Sequence, residues 1–157
     1  NPDLNIDENC ILMIRGCGPI GYPGAAEVVN MQPPDYLLKK GIISLPCLGD
    51  GRQSGTSESP SILNVSPEAA AGGGLAIIKN NDLIKVDLNN KRVDLILDDL
   101  EIKSRFNDIK FEYPRNQTPW QELAREYTGQ LGDGACLDLK EKYINVAESK
   151  GVPRHNH

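Results

Sequence analysis

The chain has 157 residues, which is the usual size of one domain and is long enough to bury a hydrophobic core. The composition is 39% hydrophobic and 25% charged, with no apolar run near the roughly 18 residues that a membrane span needs. The net charge is −5, and no cluster of Lys and Arg provides the electrostatic footprint of a nucleic-acid binder. These properties exclude a membrane-spanning protein and argue against nucleic acid as a partner.

The chain begins at Asn1, without an initiator Met and without the basic and apolar regions of a secretory signal. This start suggests a segment of a longer protein, although processing or trimming would look the same. The cysteines have irregular spacing, with no C-x-x-C motif and no nearby His that would complete a zinc site. We therefore expect free, reduced thiols and a cytoplasmic protein. The four cysteines are Cys10, Cys17, Cys47 and Cys136.

The first half of the chain predicts two buried strands, each followed by a loop rich in small residues. The predicted elements are a strand at 10–15, a Gly-rich loop at 16–24, a short helix at 25–31, a helical turn at 36–40 that ends at Gly41, a strand at 42–48, and a loop at 49–60. The second loop consists mostly of Gly, Ser, Thr and Pro, which leaves many backbone N–H groups free. Such a loop favours a functional role.

The second half predicts a short helix, a β-meander with one wet face, and two further helices. The elements are a helix at 66–71 with Ser66 as N-cap and Pro67 at its first position, strands at 75–78, 83–88 and 92–97, a surface helix at 99–106, a helix at 118–127 with a capping-box start, and a tail at 151–157. The fold class that we predict is mixed α/β and rich in strands.

Two common site patterns are poorly supported. A Ser-His-Asp hydrolase would need a G-x-S-x-G elbow, but the chain lacks one and has only two His, both at the C-terminus. The spacing of Gly16, Gly18 and Gly21 matches a dinucleotide-binding fingerprint, yet Pro19 and Pro23 crowd the turn. The predicted β-meander is also wrong for the parallel sheet of that fold. A Gly-rich loop that leads into a helix N-terminus could still hold an anion such as a carboxylate.

The residue pattern leaves the roles of three candidates open. Glu27 could be a metal ligand, or a first-turn residue that stabilises the helix dipole. Ser54 could be a reactive group, or a turn former in a Gly-rich loop. Arg52 could orient a substrate carboxylate, or it could pair with Asp50.

Two motifs strongly resemble the dihydroxy-acid and sugar-acid dehydratase family, and they occur in the right order. The first is Arg-Gly-Cys-Gly-Pro-Ile-Gly-Tyr-Pro-Gly-Ala-Ala-Glu at 15–27, and the second is Asp-Gly-Arg-Gln-Ser-Gly-Thr-Ser at 50–57, followed by Asn-Val-Ser-Pro-Glu-Ala-Ala at 64–70 and by Gly72-Gly73. The resemblance extends to the final Pro-Arg-His-Asn-His at 153–157. It therefore covers nearly the whole chain.

Within that family the chain looks like the pentonate branch, the arabinonate and xylonate dehydratases. Gln53 and the segment 56–60 replace the Phe and the Gly-Thr-His-Gly stretch of the branched-chain amino-acid enzymes. The segments 30–34 and 154–157 also resemble the pentonate branch. Glu58 departs from it, because the branch has a small residue there. The particular sugar acid therefore stays open.

The resemblance implies that residues 1–157 form the C-terminal domain, a swivelling β-barrel flanked by helices that packs over a larger N-terminal α/β domain. That N-terminal domain would carry the cluster-binding cysteines and most metal ligands, so we assign none of the four cysteines here to a cluster. The partners would be a sugar-acid substrate and the chain's own N-terminal domain, in a homo-oligomeric full-length enzyme. We expect residues 1–157 alone to fold but to be inactive.

The implied reaction removes water from a 2,3-dihydroxy acid and gives a 2-keto-3-deoxy acid. The resemblance makes Ser54 the base, acting as an alkoxide, with Thr56 supporting it or touching the substrate, and it makes Glu27 a ligand of Mg²⁺. An iron–sulfur cluster would act as Lewis acid on the leaving 3-hydroxyl. Arg52 would orient the loop or bind substrate. The alternatives are a branched-chain dihydroxy-acid dehydratase and a binding or regulatory module without chemistry.

Overall fold

The computed structural model describes residues 4–27, 31–52, 54, 59–114 and 117–138. In these ranges the strands are β1 (Leu12–Ile14), β2 (Cys47–Gly49), β3 (Ser61–Ile62), β4 (Ile84–Asp87) and β5 (Arg92–Leu95), and the α-helices are α1 (Asp35–Leu38), α2 (Asp99–Asn107) and α3 (Pro119–Tyr127). Three 3₁₀-helices lie at Ala69–Ala71, Gly74–Ile77 and Leu131–Asp133. The mixed α/β class is confirmed, but the prediction of a strand-rich fold was wrong for the described residues, because the strands are short and the helices contain more residues. The predicted tail at 151–157 lies outside the described residues.

A three-stranded parallel sheet forms the centre of the fold, in the order β1-β2-β3. In its register Leu12 is opposite Cys47, and Cys47 is opposite Ser61. All three residues of the middle strand β2 are buried, as expected for a strand covered on both faces. The β1 and β2 strands match the two strands predicted first, but β2 begins later than expected. A parallel sheet is thus present, although the predicted β-meander argued against the parallel sheet of a dinucleotide-binding fold.

The hydrophobic core lies against this sheet, and its buried residues in the described ranges all come from the first half of the chain, with Phe111 packed against them from the second half. Leu48 of β2 packs with Ala69 and Leu75, which belong to two consecutive 3₁₀-helices. Arg15, directly after β1, donates from Nη1 to the carbonyl oxygen of Ile78 at 2.8 Å. The end of β1 is thereby tied to the end of the second 3₁₀-helix. The buried hydrophobic residues are Ala25, Leu37, Leu45, Cys47, Leu48, Ala69, Leu75 and Ile77.

Two predictions between residues 66 and 78 were wrong. Segment 75–78 was expected to be a strand, but Gly74–Ile77 is a 3₁₀-helix. A Cβ at Gly73 would overlap the carbonyl oxygen of Pro67, so the chain folds back too tightly here for an extended strand. The preceding helix is only the 3₁₀ turn Ala69–Ala71, and Ser66 does not cap it. The Ser66 hydroxyl instead accepts from the Gly132 N–H at 3.1 Å.

Strands β4 and β5 form a two-stranded antiparallel hairpin, with Val86 opposite Val93. Both were predicted, but without the strand at 75–78 they make a hairpin and not a meander. The strands in the described ranges form two separate sheets and no closed barrel. The barrel that the resemblance implied is therefore not seen there. The reason is that the hairpin hydrogen-bonds only to itself and leaves the edges of the parallel sheet unjoined to it.

The predicted helical turn and the two later helices are confirmed. Asp98 caps α2 through bonds from the N–H groups of Leu100 and Glu101, and Thr118 caps α3 in a complete capping box. Trp120 in the first turn of α3 is 78% exposed. In the ranges that the structure covers, no helix is long and apolar enough to cross a bilayer.

Candidate active site

The two motif loops lie at the same edge of the parallel sheet, because each follows the carboxyl end of one of two neighbouring strands. The Gly-rich loop 16–24 follows β1, and the loop with Arg52 and Ser54 follows β2. Crevices at this edge of a parallel sheet are where open α/β folds bind ligands. The sheet thus brings together two segments that are more than thirty residues apart in sequence.

Asp50 joins the two loops from inside the protein. Its side chain is only 1% exposed and accepts hydrogen bonds from the N–H groups of Gly16 and Cys17, both at 3.0 Å. A third bond comes from the N–H of Ala69 at 2.9 Å. Hydrogen bonds to an ionised carboxylate are about twice as strong as neutral ones. Asp50 therefore serves the backbone, and the alternative in which it pairs with Arg52 is wrong.

A second carboxylate, Glu68, lies beneath the Gly-rich loop and is fully buried. It accepts from the N–H of Ile20 at 3.0 Å, from the N–H of Gly21 at 2.8 Å, and from Nε2 of Gln130 at 2.9 Å. A Cβ at Gly18 would clash with the Glu68 carboxylate, so this glycine is needed for the close approach. The anion held by the Gly-rich loop is thus the protein's own carboxylate.

Glu27 is exposed and lies just beyond this loop. The helix predicted at 25–31 does not begin there, because residues 25–27 are not helical, and residues 28–30 lie outside the described ranges. A helix-dipole role from the first turn is therefore not supported for Glu27. No group of three or more His, Cys, Asp or Glu that could hold a metal ion occurs in the described part of the chain. The exposed carboxylate fits one ligand of a magnesium site, with the remaining ligands supplied by other residues.

Arg52 connects its loop to the segment that carries Glu27. Its Nη2 donates to the carbonyl oxygen of Ala25 at 2.5 Å, two residues before Glu27. Ser54, two residues after Arg52, is half-buried. The structure therefore brings the segments of Arg52, Ser54 and Glu27 together, whereas Thr56 lies outside the described residues.

A small cavity of about 180 Å³ opens between the two loops. Its wall includes Tyr22 and Ala25 from the first motif and Asp50, Arg52 and Asn64 from the second. Drug-sized ligand sites usually measure about 300–1,000 Å³, so this cavity suits a small molecule or one end of a larger one. Arg52 supplies a cationic group at the cavity and could still contact a substrate anion.

All four cysteines are free thiols. Burial, together with the charge of Asp50, raises the pKa of the Cys17 thiol, and burial raises the pKa of Cys47. Because thiolates are the nucleophiles and metal ligands, both side chains are poor candidates for either role at neutral pH. The four residues also form no common metal-binding group in the part of the chain that is described.

The sequence patterns missed the residues that shape this site. The patterns assign Glu68 to a helix start and Asp50 to a possible pair with Arg52, and they give no role to Gln130. A signal was nevertheless present: Asp50 stands between two glycines, and Glu68 is followed by three alanines. An acidic residue in a run of small residues is a candidate for burial, because neighbouring side chains leave room for backbone to approach.

Comparison with known proteins confirms the resemblance. Residues 2–135 match the family described as dihydroxy-acid/6-phosphogluconate dehydratase C-terminal. The chain is 57% identical over its full length to a D-xylonate dehydratase of Caulobacter vibrioides, of which it covers 26%. It is 41% identical to an L-arabinonate dehydratase of Rhizobium leguminosarum over 87% of the chain and 24% of that protein.

A third relative is a dihydroxy-acid dehydratase of Pyrococcus furiosus, 35% identical over 96% of the chain and 24% of that protein. The chain therefore spans about a quarter of the length of each of these relatives. With a family match that includes both motif loops and the β4–β5 hairpin, this chain belongs to the dihydroxy-acid/6-phosphogluconate dehydratase family and corresponds to its C-terminal domain.

Proposed function

We propose that this chain is the C-terminal domain of a hydro-lyase that dehydrates a sugar acid to a 2-keto-3-deoxy acid. The observation that carries the proposal is the meeting of the two motif loops at the carboxyl edge of β1 and β2, joined by Asp50 and by the Arg52 bond to Ala25. The wall of the small cavity includes Ala25, two residues before Glu27, and Arg52, two residues before Ser54, which supports a site formed by these two segments. The sharing of these motifs with dehydratases supports the assignment.

In the proposed reaction the Ser54 alkoxide removes the proton from C2 of the substrate, the bond between C3 and its hydroxyl oxygen breaks, and the leaving hydroxide takes the proton from the Ser54 hydroxyl to give water and regenerate the alkoxide. The enol that remains then tautomerises to the 2-keto acid. A neutral hydroxyl is too weak a base at neutral pH, so Ser54 must act as an alkoxide. Thr56 is proposed to support Ser54 or to contact the substrate, and Arg52 to hold the loop and face the substrate's anionic end.

Glu27 is proposed to hold Mg²⁺ as one of several ligands. When bound, the ion would withdraw charge from the substrate's carboxylate and 2-hydroxyl and would favour the ionised serine. The four cysteines do not fit an iron–sulfur cluster, so the cluster that the resemblance implies would need ligands outside this chain. A swivelling motion over an N-terminal domain, a homo-oligomeric full-length enzyme and a cytoplasmic location are further parts of the proposal.

The substrate class that we propose is a pentonate, such as xylonate or arabinonate. The identity to the D-xylonate dehydratase is 57%, against 35% for the Pyrococcus dihydroxy-acid dehydratase. An assay of the full-length enzyme with xylonate, arabinonate and a branched-chain dihydroxy acid tests this choice. Preference for the branched-chain substrate would replace the proposal with the alternative enzyme, and absence of turnover with all three would favour a non-catalytic binding module.

The decisive experiment is Ser54→Ala in the full-length enzyme. Removal of a general base typically lowers the rate by about 10²–10⁴, and substrate should still bind because the other contacts remain. Exchange of the C2 proton with deuterated solvent should be lost together with turnover. Ser104→Ala, on the exposed surface of α2, is the matched control and should leave both rates unchanged.

Turnover of Ser54→Ala within a few-fold of the wild type would make Ser54 a loop residue. If Thr56→Ala is inactive but still binds substrate, Thr56 is the base and Ser54 the supporting residue.

Glu27→Gln should weaken Mg²⁺ binding, measured by calorimetry, because an amide is a poorer ligand than a carboxylate. Residues 1–157 alone should fold without dehydrating a pentonate, and measured turnover by this fragment would refute the proposed division of labour.

A further inference from the structure

Glu68 has no part in the reaction proposed above, yet it is the most completely buried charged side chain among the described residues. We infer that Glu68 is a positioning residue, which fixes the Gly-rich loop 16–24 and thereby the position of Glu27, whose neighbour Ala25 lies in the cavity wall and accepts a bond from Arg52. This inference rests on the proposed function, because it assigns Glu68 a role in aiming Glu27.

The surroundings of Glu68 indicate that its carboxylate serves to orient the loop and not to increase the stability of the fold. Its hydrogen-bond donors are two neighbouring backbone N–H groups, of Ile20 and Gly21, and the side-chain amide of Gln130. No Lys or Arg forms an ion pair with it in the described ranges. Burying a charge without an opposite charge is costly, and a neutral side chain would avoid that cost. What the carboxylate adds is two strong bonds that fix the directions of consecutive peptide groups.

Gln130 restrains Glu68 in turn. Its Nε2 donates to Glu68 Oε1, and its Oε1 accepts from the Glu68 N–H at 2.9 Å. The side chain and the backbone of Glu68 are thereby held by a single amide. Such a reciprocal pair leaves the carboxylate few alternative orientations, so the loop above it is held in one position.

The opposite side of the loop is held by α3. Arg125 Nε donates to the carbonyl oxygen of Ile20 at 2.8 Å, and Gln121 Nε2 donates to that of Pro23 at 2.9 Å. The peptide groups of the loop are therefore fixed on their N–H side by Glu68 and on their carbonyl side by the helix. Glu27 follows only four residues after Pro23, and Arg52 holds Ala25 between them. A shift of the loop would carry Glu27 with it.

The test uses the full-length enzyme and the variant Glu68→Gln. The amide retains the shape of the side chain, but its NH₂ group must face an N–H donor or the Gln130 amide, so at least one bond to the loop is lost. We expect kcat per folded enzyme to fall by about 10–100-fold with a smaller change in KM, and the dissociation constant of Mg²⁺ to rise by about 10-fold or more. Hydrogen exchange of the peptide that contains Ile20 and Gly21 should accelerate.

A second variant, Gly18→Ala, keeps the carboxylate and displaces it by the clash of the new Cβ. It should give the same pattern of lower kcat, weaker Mg²⁺ binding and faster exchange. Glu8→Gln, at an exposed site, and Gly74→Ala, whose Cβ would meet nothing within 4 Å, are the matched controls and should match the wild type. Gln130→Ala keeps the bonds of Glu68 to Ile20 and Gly21 but removes the restraint on its carboxylate, so it should show the same effects to a smaller degree and serves as the test if Glu68→Gln does not fold.

The inference is overturned if variants of Glu68 or Gln130 lose stability while kcat per folded enzyme, Mg²⁺ affinity and loop exchange stay at wild-type values. Glu68 would then be a structural residue only. Failure of the proposed function is distinguished by Ser54→Ala, which changes neither Glu68 nor any residue of the Gly-rich loop 16–24. An active Ser54→Ala enzyme refutes the proposed base, whereas an inactive Ser54→Ala enzyme with an unaffected Glu68→Gln enzyme refutes only the positioning role.

Discussion

In residues 10–78 the buried carboxylates bond to backbone N–H groups that are 19 to 48 residues away in sequence. In residues 82–107 most charged side chains bond within four residues, as Asp98 does to the first turn of α2. The first region holds every fully buried hydrophobic residue that the structure describes, whereas β4, β5 and α2 hold none. The candidate site therefore lies in the region held by hydrogen bonds between residues far apart in sequence. The β4–β5 hairpin and α2 lie in the region held mostly by bonds between sequence neighbours.

Among the variants that test this difference, removal of the Asp50 carboxylate should cause the largest loss in the free energy of unfolding. Asp50→Ala leaves one buried and two partly buried N–H groups without an acceptor, and we expect the free energy of unfolding to fall by roughly 3–5 kcal/mol. Urea unfolding of the chain measures it. Asp133→Ala, at an exposed position, should stay within about 0.5 kcal/mol of the wild type. Equal effects of the two variants would show that the long-range bonds do not stabilise the fold.

Gly73→Ala should come next, because its Cβ would overlap the carbonyl oxygen of Pro67. Relief of such a clash requires a backbone shift, for which we expect a loss of about 2–3 kcal/mol in the free energy of unfolding. Gly74→Ala is the same chemical change one residue later, in open space, and should be neutral or slightly stabilising. If both variants unfold at the same urea concentration, the close approach at Gly73 is not rigid.

The hairpin region contains two long-range exceptions, both made by Arg105: a bond to the carbonyl oxygen of Ile77 at 3.0 Å and an ion pair with Asp82. The two charged groups of the ion pair are 2.5 Å apart, and the side chains are 11% and 8% exposed. The bonds from Arg105 and the N–H of Lys79 lower the pKa of Asp82. A lowered folded-state pKa contributes stability above the unfolded value of about 3.9, and this contribution is lost as pH falls through the folded-state pKa.

Acidification below about pH 4 should therefore weaken the hairpin region. Urea unfolding of the wild type and of Asp82→Asn across this pH range measures the contribution, which the variant should lack. We expect a smaller effect than for Gly73→Ala, because an ion pair near the surface can regain water. A wild type and variant with parallel pH profiles would show that the pair does not contribute.

The smallest change is expected at the start of α3. Thr118→Ala removes the side-chain acceptor of the capping box, which typically costs about 1 kcal/mol. Ser104→Ala, in the middle of α2, is the control and should be neutral, because alanine is the better helix former. A loss in the free energy of unfolding well above about 1 kcal/mol would show that Thr118 also stabilises structure outside α3.

The same contrast explains how far sequence reasoning reached. The hairpin, α2, α3 and its capping box were predicted, because turn residues and caps act on their own neighbours. The 3₁₀-helix at Gly74–Ile77 was not, because it depends on the close approach of Gly73 to Pro67, which no local pattern shows. An apolar run of four residues favours a strand and a tight helical turn about equally.

In the candidate site, motif resemblance identified Glu27, Ser54 and Arg52, and the structure brings their segments together. The resemblance could not show that Glu68 accepts the hydrogen bonds of the Gly-rich loop, because Glu68 is 47 residues from Gly21 in sequence. The sequence shows the spacing of the glycines, but it does not show that the Glu68 carboxylate needs a glycine at position 18 to approach the loop. Backbone N–H groups without a local partner predict an acceptor, and only the fold identifies it as the chain's own carboxylate.

Trp120 has an optical consequence. It is the only tryptophan in the chain, and 78% of its surface is open to water. Its fluorescence in residues 1–157 should therefore have the red emission of a hydrated indole and should be quenched readily by small solutes. A molecule that covers this side chain would shift the emission to the blue. Trp120 therefore reports whatever docks on its part of α3, the helix whose Gln121 and Arg125 hold the Gly-rich loop.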